Sequence, residues 1–140
     1  MERFELRQKD AAKALDTLKQ ILEEPFSIIV RDATIQRFEY TFEAIWKFLK
    51  EYLREQEGII CNSPKSCFRE AFSLELLTEE ETVGFLEMTD DRNMTTHIYK
   101  EEVSEILYGK MPDYYRLMET LLEQINCQRK LQEKGKKKAI

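Results

Sequence analysis

Apolar residues recur along most of this chain at spacings of three, four or seven, the period that lays them on one side of an α-helix. The first stripe, Phe4, Ala11, Leu15, Leu18 and Leu22, predicts a helix over about residues 2–23 with charges on its other faces. Pro25 closes it, because the residue before a proline is pushed away from helical angles. Phe26 to Val30 has no partner strand in sight and reads as the turn into a second helix over about residues 28–56. There Ile35, Phe38, Phe42, Ile45, Leu49 and Tyr52 alternate strictly by three and four. Tyr40 and Trp46 widen the apolar surface, the mark of a core or dimer face. Glu39, Glu43 and Lys47 lie four apart on another face and read as a solvated charge ladder.

Gly58 ends the second helix. Asn62-Ser63-Pro64 reads as a cap with proline in the first turn, opening a short helix through about Leu74 with Cys67, Phe68, Ala71 and Phe72 inward. Thr78 with Glu81 forms a capping box for a further helix, whose apolar side is Val83, Phe85, Leu86 and Met88 and which runs toward Arg92. Gly84 weakens it slightly. Asp90-Asp91 fits poorly with a helix C-terminus, where the macrodipole disfavours anions, so either the helix continues past Arg92 or these acids meet cations. A last helix begins near Glu101, with Glu101, Glu102 and Glu105 suiting its first turns. Gly109 and Pro112 predict a kink or break, after which Tyr114, Leu117, Leu121 and Ile125 carry the stripe to about Cys127. Residues 128–140, with Lys130, Lys134, Lys136, Lys137 and Lys138, are expected to be a basic, disordered tail.

The pattern predicts one all-α domain: an up-and-down antiparallel bundle of four to five helices, dimeric, occupying residues 1–127. A charged fraction of 35% with four Gly and three Pro agrees with long helices rather than a many-turned sheet. The net charge of −5 argues against a general nucleic-acid coat protein but leaves room for a local basic site. Three cysteines, Cys61, Cys67 and Cys127, form no CxxC pair, and one histidine cannot complete a zinc set. The odd cysteine count and a charged start unlike a signal peptide point to a reducing, cytoplasmic setting. No apolar run approaches a membrane span, and no phosphate-binding glycine loop or metalloprotease signature is present.

Chemistry concentrates at Asp91 to Tyr99. The only histidine, His97, has Arg92 five positions before it, Asn93 beside that arginine, and Tyr99 two positions after. Imidazole moves a proton near neutral pH, and a guanidinium presents a planar fork of donors to phosphoryl oxygens. The set suits phosphodiester chemistry, although a lone histidine also serves commonly at a surface or helix end. On one unbroken helix Arg92 and His97 would point about 140° apart. Convergence within the chain therefore requires an end or bend between them, for which Thr95-Thr96 is the natural place.

Three blocks now resemble a known family: Arg37 to Lys47; Ser63-Pro64 with Arg69-Glu70-Ala71-Phe72; and Phe85 to Met88 leading into Asp91-Arg92-Asn93 and His97-Ile98-Tyr99. Together they resemble the HEPN superfamily, in its HepT-like branch of nucleotidyltransferase substrate-binding proteins. The resemblance implies a dimeric helical bundle in which the Arg-x4-His motifs of two subunits face one cleft. It implies a cognate minimal, polymerase-β-like nucleotidyltransferase as partner. It further implies a metal-independent endoribonuclease toxin of a toxin–antitoxin pair, with RNA as substrate and no cofactor. Carried over by position, Arg92 and His97 are the catalytic pair, Asn93 orients substrate, and Tyr99 is the candidate for AMP addition. The alternative is a non-catalytic subunit that binds a nucleotide or presents a substrate to the nucleotidyltransferase. Two departures stand out: Phe85 replaces a common Trp, and Lys100 replaces an acidic residue that could cap the last helix.

Overall fold

A computed structural model describes the backbone of residues 2–139 and the side chains of residues 2–135. Five α-helices and one 3-10 turn account for nearly all of it: α1 (Arg3–Leu22), α2 (Ile28–Glu57), α3 (Pro64–Ser73), α4 (Glu79–Met94), the turn Thr95–His97 and α5 (Glu101–Ala139). Each boundary has a local cause. The Ser27 hydroxyl accepts from the Val30 amide and starts α2, as expected of a cap. Gly58, at φ 65°, ends α2 in a left-handed conformation that glycine adopts without a Cβ penalty. Ser63 with Ser66, and Thr78 with Glu81, close reciprocal capping boxes at α3 and α4.

Helix α2 is the axis of the molecule and packs against every other helix. Ion pairs fix the directions. Arg31, at the start of α2, meets Glu101 at the start of α5, while Glu55 near the end of α2 meets Arg129 in the final turns of α5. These two helices therefore run parallel. Asp91 pairs with Lys110, and a Cβ on Gly84 would lie 2.7 Å from Leu117 Cδ1, so α4 runs antiparallel to α5. With α1 folded back on α2, the long helices go up, down, up, down. Gly84 is thus a point of close helix approach, beyond the slight weakening its propensity predicts.

An aromatic seam binds the layers. Phe42 of α2 meets Phe68 of α3 at 6.1 Å, and Phe68 stacks on Phe85 of α4 at 4.6 Å between ring centroids. Phe38 stacks on Tyr114 of α5 at 5.6 Å. Such pairs contribute roughly 0.5–1.5 kcal/mol beyond their area burial. Phe85, where the resemblance favours Trp, is fully buried in this seam.

Several expectations are corrected. Helix α5 continues through Gly109 and Pro112 without a break, because Met111 and Tyr114 on either side of the proline are both buried and anchor the helix. Residues 128–139, expected as a separate tail, continue α5 as helix. Arg129 lies 4.4 Å from the Phe4 ring centre and Gln132 donates to the Tyr52 hydroxyl at 3.2 Å, so this stretch has its own packing partners. The side chains of Lys136, Lys137 and Lys138, and all of Ile140, lie outside the described residues. Phe72 and Val83, expected inward, are exposed, because α3 and α4 bury narrower stripes than their composition suggests. Cys61 and Cys67, read as reduced thiols, form a disulfide, leaving Cys127 free and exposed. The α2–α3 turn brings the two cysteines together, a proximity their spacing alone does not reveal.

Candidate functional site

The motif occupies the junction between α4 and α5. Asp91 is held at the last turns of α4 by the Tyr114 hydroxyl and by Lys110 Nζ at 2.9 Å, while Asp90 meets Lys65 Nζ at 2.7 Å. Both acids meet cations, which answers the macrodipole conflict at this helix end. The Asp91 hydrogen bond, with that to Glu87 adding, raises the Lys110 pKa above its ordinary value. Burial, reinforced by Asp91, pushes the Tyr114 phenol up. The clasp fixes the backbone immediately before Arg92.

Arg92 turns toward α2. Its Nη1 donates to the Thr95 hydroxyl at 3.1 Å, and Nε lies 3.7 Å from Glu43 Oε1. That separation exceeds a hydrogen bond, so Nε is buried without a hydrogen-bond partner. Thr95 is buried and its hydroxyl also caps the Arg92 carbonyl at 2.7 Å. Arg92, Gln36, Glu39, Tyr40 and Glu43 line a cleft of about 290 Å³ between α2 and the end of α4.

His97 stands on the other side of the 3-10 turn, exposed to solvent, with Nδ1 3.3 Å from the Tyr99 hydroxyl. Tyr99 is 75% exposed, and the Lys100 ammonium lies 5.9 Å from its ring centre. The connection is nevertheless anchored: Ser104, fully buried, donates to the Ile98 carbonyl at 2.6 Å. Arg31, also buried, holds Glu101 at 2.7 Å and so pins the start of α5. Asn93 is exposed, and its carbonyl accepts from Thr96 at 3.4 Å.

The structure therefore brings His97 to Tyr99 and Arg92 to Glu43, but no hydrogen bond joins Arg92 to His97 among the described residues. The turn at Thr95–His97 does interrupt α4 where expected, without uniting the pair inside one chain. Glu43 was missed by the sequence reading. It is no mere solvated ladder member, since it faces Arg92 and accepts from Trp46 Nε1 at 3.0 Å. Its signal was present in part: Glu43 is on the same face as Gln36, Glu39 and Tyr40, at helical spacings of three and four. Among the described residues no group of three or more His, Cys, Asp or Glu side chains is placed to hold a metal ion. None of the described helices is long and apolar enough to cross a membrane.

An antiparallel bundle with Arg-x4-His-x-Tyr at the α4–α5 junction defines the class: an all-α helical-bundle protein with its polar motif at one end of the bundle. Residues 6–127 match the family model described as nucleotidyltransferase substrate binding protein like, and the chain belongs to that HepT-like family. No curated protein matches the chain. Among solved structures, a protein from Thermus thermophilus is 50% identical, with a TM-score of 0.79 over 82% of this chain and 98% of that one. A tri-AMPylated Shewanella oneidensis HEPN toxin, solved in complex with an MNT antitoxin, gives a TM-score of 0.73 at 17% identity over 91% and 99% of the two chains. A toxin–antitoxin structure with AMP-PNP gives 0.72 at 16% identity, covering 89% of this chain and 99% of that one. At such identities the last two establish a shared fold.

Proposed function

We propose that this protein is the toxin-type member of a pair with a minimal nucleotidyltransferase, and that as a homodimer it cleaves RNA without a metal ion. The observation that carries this reading is the state of Arg92, whose guanidinium lines a cleft and is fixed there by Thr95 at Nη1 and by Glu43 3.7 Å from Nε. A guanidinium fixed in that way is suited to a phosphoryl group. His97 is exposed and, among the described residues, makes no hydrogen bond to Arg92 within the chain, and a second copy placing its His97 near this Arg92 would complete the pair. Imidazole then takes the proton from a ribose 2′-hydroxyl, and the freed oxygen attacks phosphorus. Arg92 stabilises the charge that develops on the phosphoryl oxygens. The bond to the 5′-oxygen breaks, that oxygen takes up a proton, and the products are a 2′,3′-cyclic phosphate and a 5′-hydroxyl. Asn93, exposed beside Arg92, orients the strand.

Tyr99 is the proposed control point. Its exposed phenol is open to a nucleotidyltransferase, which would join the phenolic oxygen to the α-phosphorus of ATP and release pyrophosphate. The added phosphate would compete with RNA for Arg92. The family description as a substrate-binding protein favours a second reading, in which Arg92 and His97 bind a nucleotide for the partner without cleaving it. Expression of the chain alone, with and without His97→Ala, separates the two. Growth arrest with RNA breakdown that disappears in the variant supports the nuclease. Intact RNA and normal growth in both strains favour the accessory subunit.

A further inference from the structure

The cleft beside Arg92 has a lining that phosphate binding does not explain. Gln36, Glu39, Tyr40 and Glu43 present one face of α2 to it, being three, four and seven residues apart. Of the two carboxylates, Glu43 is engaged by Arg92 and Trp46. Glu39 is half-buried, and no hydrogen bond or ion pair to its side chain is found among the described residues. Tyr40 is 44% exposed and also lines a neighbouring depression of about 240 Å³ with Asp10, Lys13, Ala14 and Thr17. Its ring is fixed at the tip. The Thr17 hydroxyl donates to the Ala14 carbonyl at 2.7 Å, so at 2.6 Å the Tyr40 phenol donates to Thr17. An aromatic face held this way, with a carboxylate seeking donors one residue before it and a cation across the cleft, fits a particular kind of ligand.

We infer that this cleft is a nucleobase subsite, in which the base next to the phosphate on Arg92 stacks on Tyr40 and is read by Glu39. The inference rests on the nucleic-acid reading above and deepens it to base preference. With Arg92 offering the cleft its positive charge, the remaining carboxylate, Glu39, suits a neutral base whose edge carries N–H donors. Guanine presents its N1–H and 2-amino group side by side, matching the two oxygens of a carboxylate. Uracil offers carbonyl oxygens on both sides of N3–H and meets Glu39 with repulsion. Stacking on an aromatic ring is tolerant of sequence, whereas edge contacts discriminate. Tyr40 therefore sets affinity and Glu39 sets choice.

The test uses the full chain and short single-stranded RNAs differing only in one nucleotide, with 2′-deoxy counterparts that cannot be cleaved. Cleavage is mapped by 5′-hydroxyl ends, and binding of the deoxy strands is followed by fluorescence anisotropy. The expected result is a guanine-over-uracil preference on the order of tenfold at the position beside the cut. Glu39→Gln, whose amide both donates and accepts, should erase that preference with overall binding retained. Tyr40→Ala should weaken binding of all strands several-fold, and Tyr40→Phe should restore it, with unchanged thermal midpoints in each variant. A preference that survives Glu39→Gln, or no base preference in either assay, overturns the subsite. If the wild-type chain cleaves nothing while the deoxy strands keep a Glu39-dependent guanine preference, the subsite stands and the nuclease reading falls.

Discussion

Glu51 sits nearly buried on α2, a position where a charge survives only if it is paired. Its carboxylate is held by Arg54, with Arg3 at 3.9 Å, and the Arg54 hydrogen bond holds its pKa below the ordinary 4.5. A carboxyl group whose folded pKa is depressed stabilises the fold fully above its unfolded value and loses that contribution as pH falls through the folded one. Glu51→Gln should therefore cost about 1–3 kcal/mol at neutral pH. The gap to wild type should close as pH drops below 4.5, as measured by urea unfolding across pH. In the sequence Glu51 looks like one more surface acid, because its burial and its contact with Arg3 depend on another helix. The same limit hid Glu43. Its local neighbours Glu39 and Lys47 suggested a solvated ladder, whereas the contact that matters is with Arg92 on another helix. Arg92, His97 and Tyr99 were legible as a set because their spacing is local. For Tyr99, co-expression with an active cognate nucleotidyltransferase should add one or more AMP units to the intact mass, and Tyr99→Phe should abolish the gain. An unmodified mass beside an active partner would make Tyr99 a packing residue only.

At the scale of elements, periodicity and caps were enough to place the helices. Ser63 and Thr78 start α3 and α4 as hydroxyl caps do, and Gly58 ends α2 with a positive φ, whereas Ser27, within the stretch read only as a turn, also caps α2. What failed were judgements in which local propensity was set against distant packing. Pro112 sits inside α5, where buried neighbours outweigh the lost hydrogen bond, and α5 persists beyond Cys127 because Arg129 and Gln132 find partners on α1 and α2. The disulfide between Cys61 and Cys67 ties the α2–α3 turn to α3, closing a loop with a sequence separation of 6. Closing so short a loop stabilises by about 2 kcal/mol in the chain-entropy account. Cys61→Ser should lower stability by roughly that amount under non-reducing conditions, and a saturating reductant should bring wild type down to the same level. Thiol titration of the unfolded, unreduced wild type should find Cys127 alone. Equal stability of the two proteins without reductant would show that this bond adds nothing.

For the whole molecule, the bundle leaves a single chain with Arg92 lining one cleft and His97 exposed to solvent, with no hydrogen bond between them among the described residues. Exposed Phe26, Ile29, Ile106 and Tyr99 lie on elements at or near this end of the bundle, more apolar surface than four long helices cover among themselves. The proposed homodimer would answer both facts, with α2 and the motif region as its interface. Light scattering at micromolar concentration should give twice the chain mass, and a monomer there would break the two-copy site. The central claim is metal-free cleavage by Arg92 and His97. The most direct measurement incubates purified protein with single-stranded RNA, with and without EDTA, and identifies the ends formed. Metal-free cleavage should leave 2′,3′-cyclic phosphate and 5′-hydroxyl ends at an undiminished rate in EDTA. Folded Arg92→Ala and His97→Ala proteins should each lose cleavage. Activity that vanishes on chelation and returns with added metal, or persists in the folded His97→Ala protein, would contradict that claim.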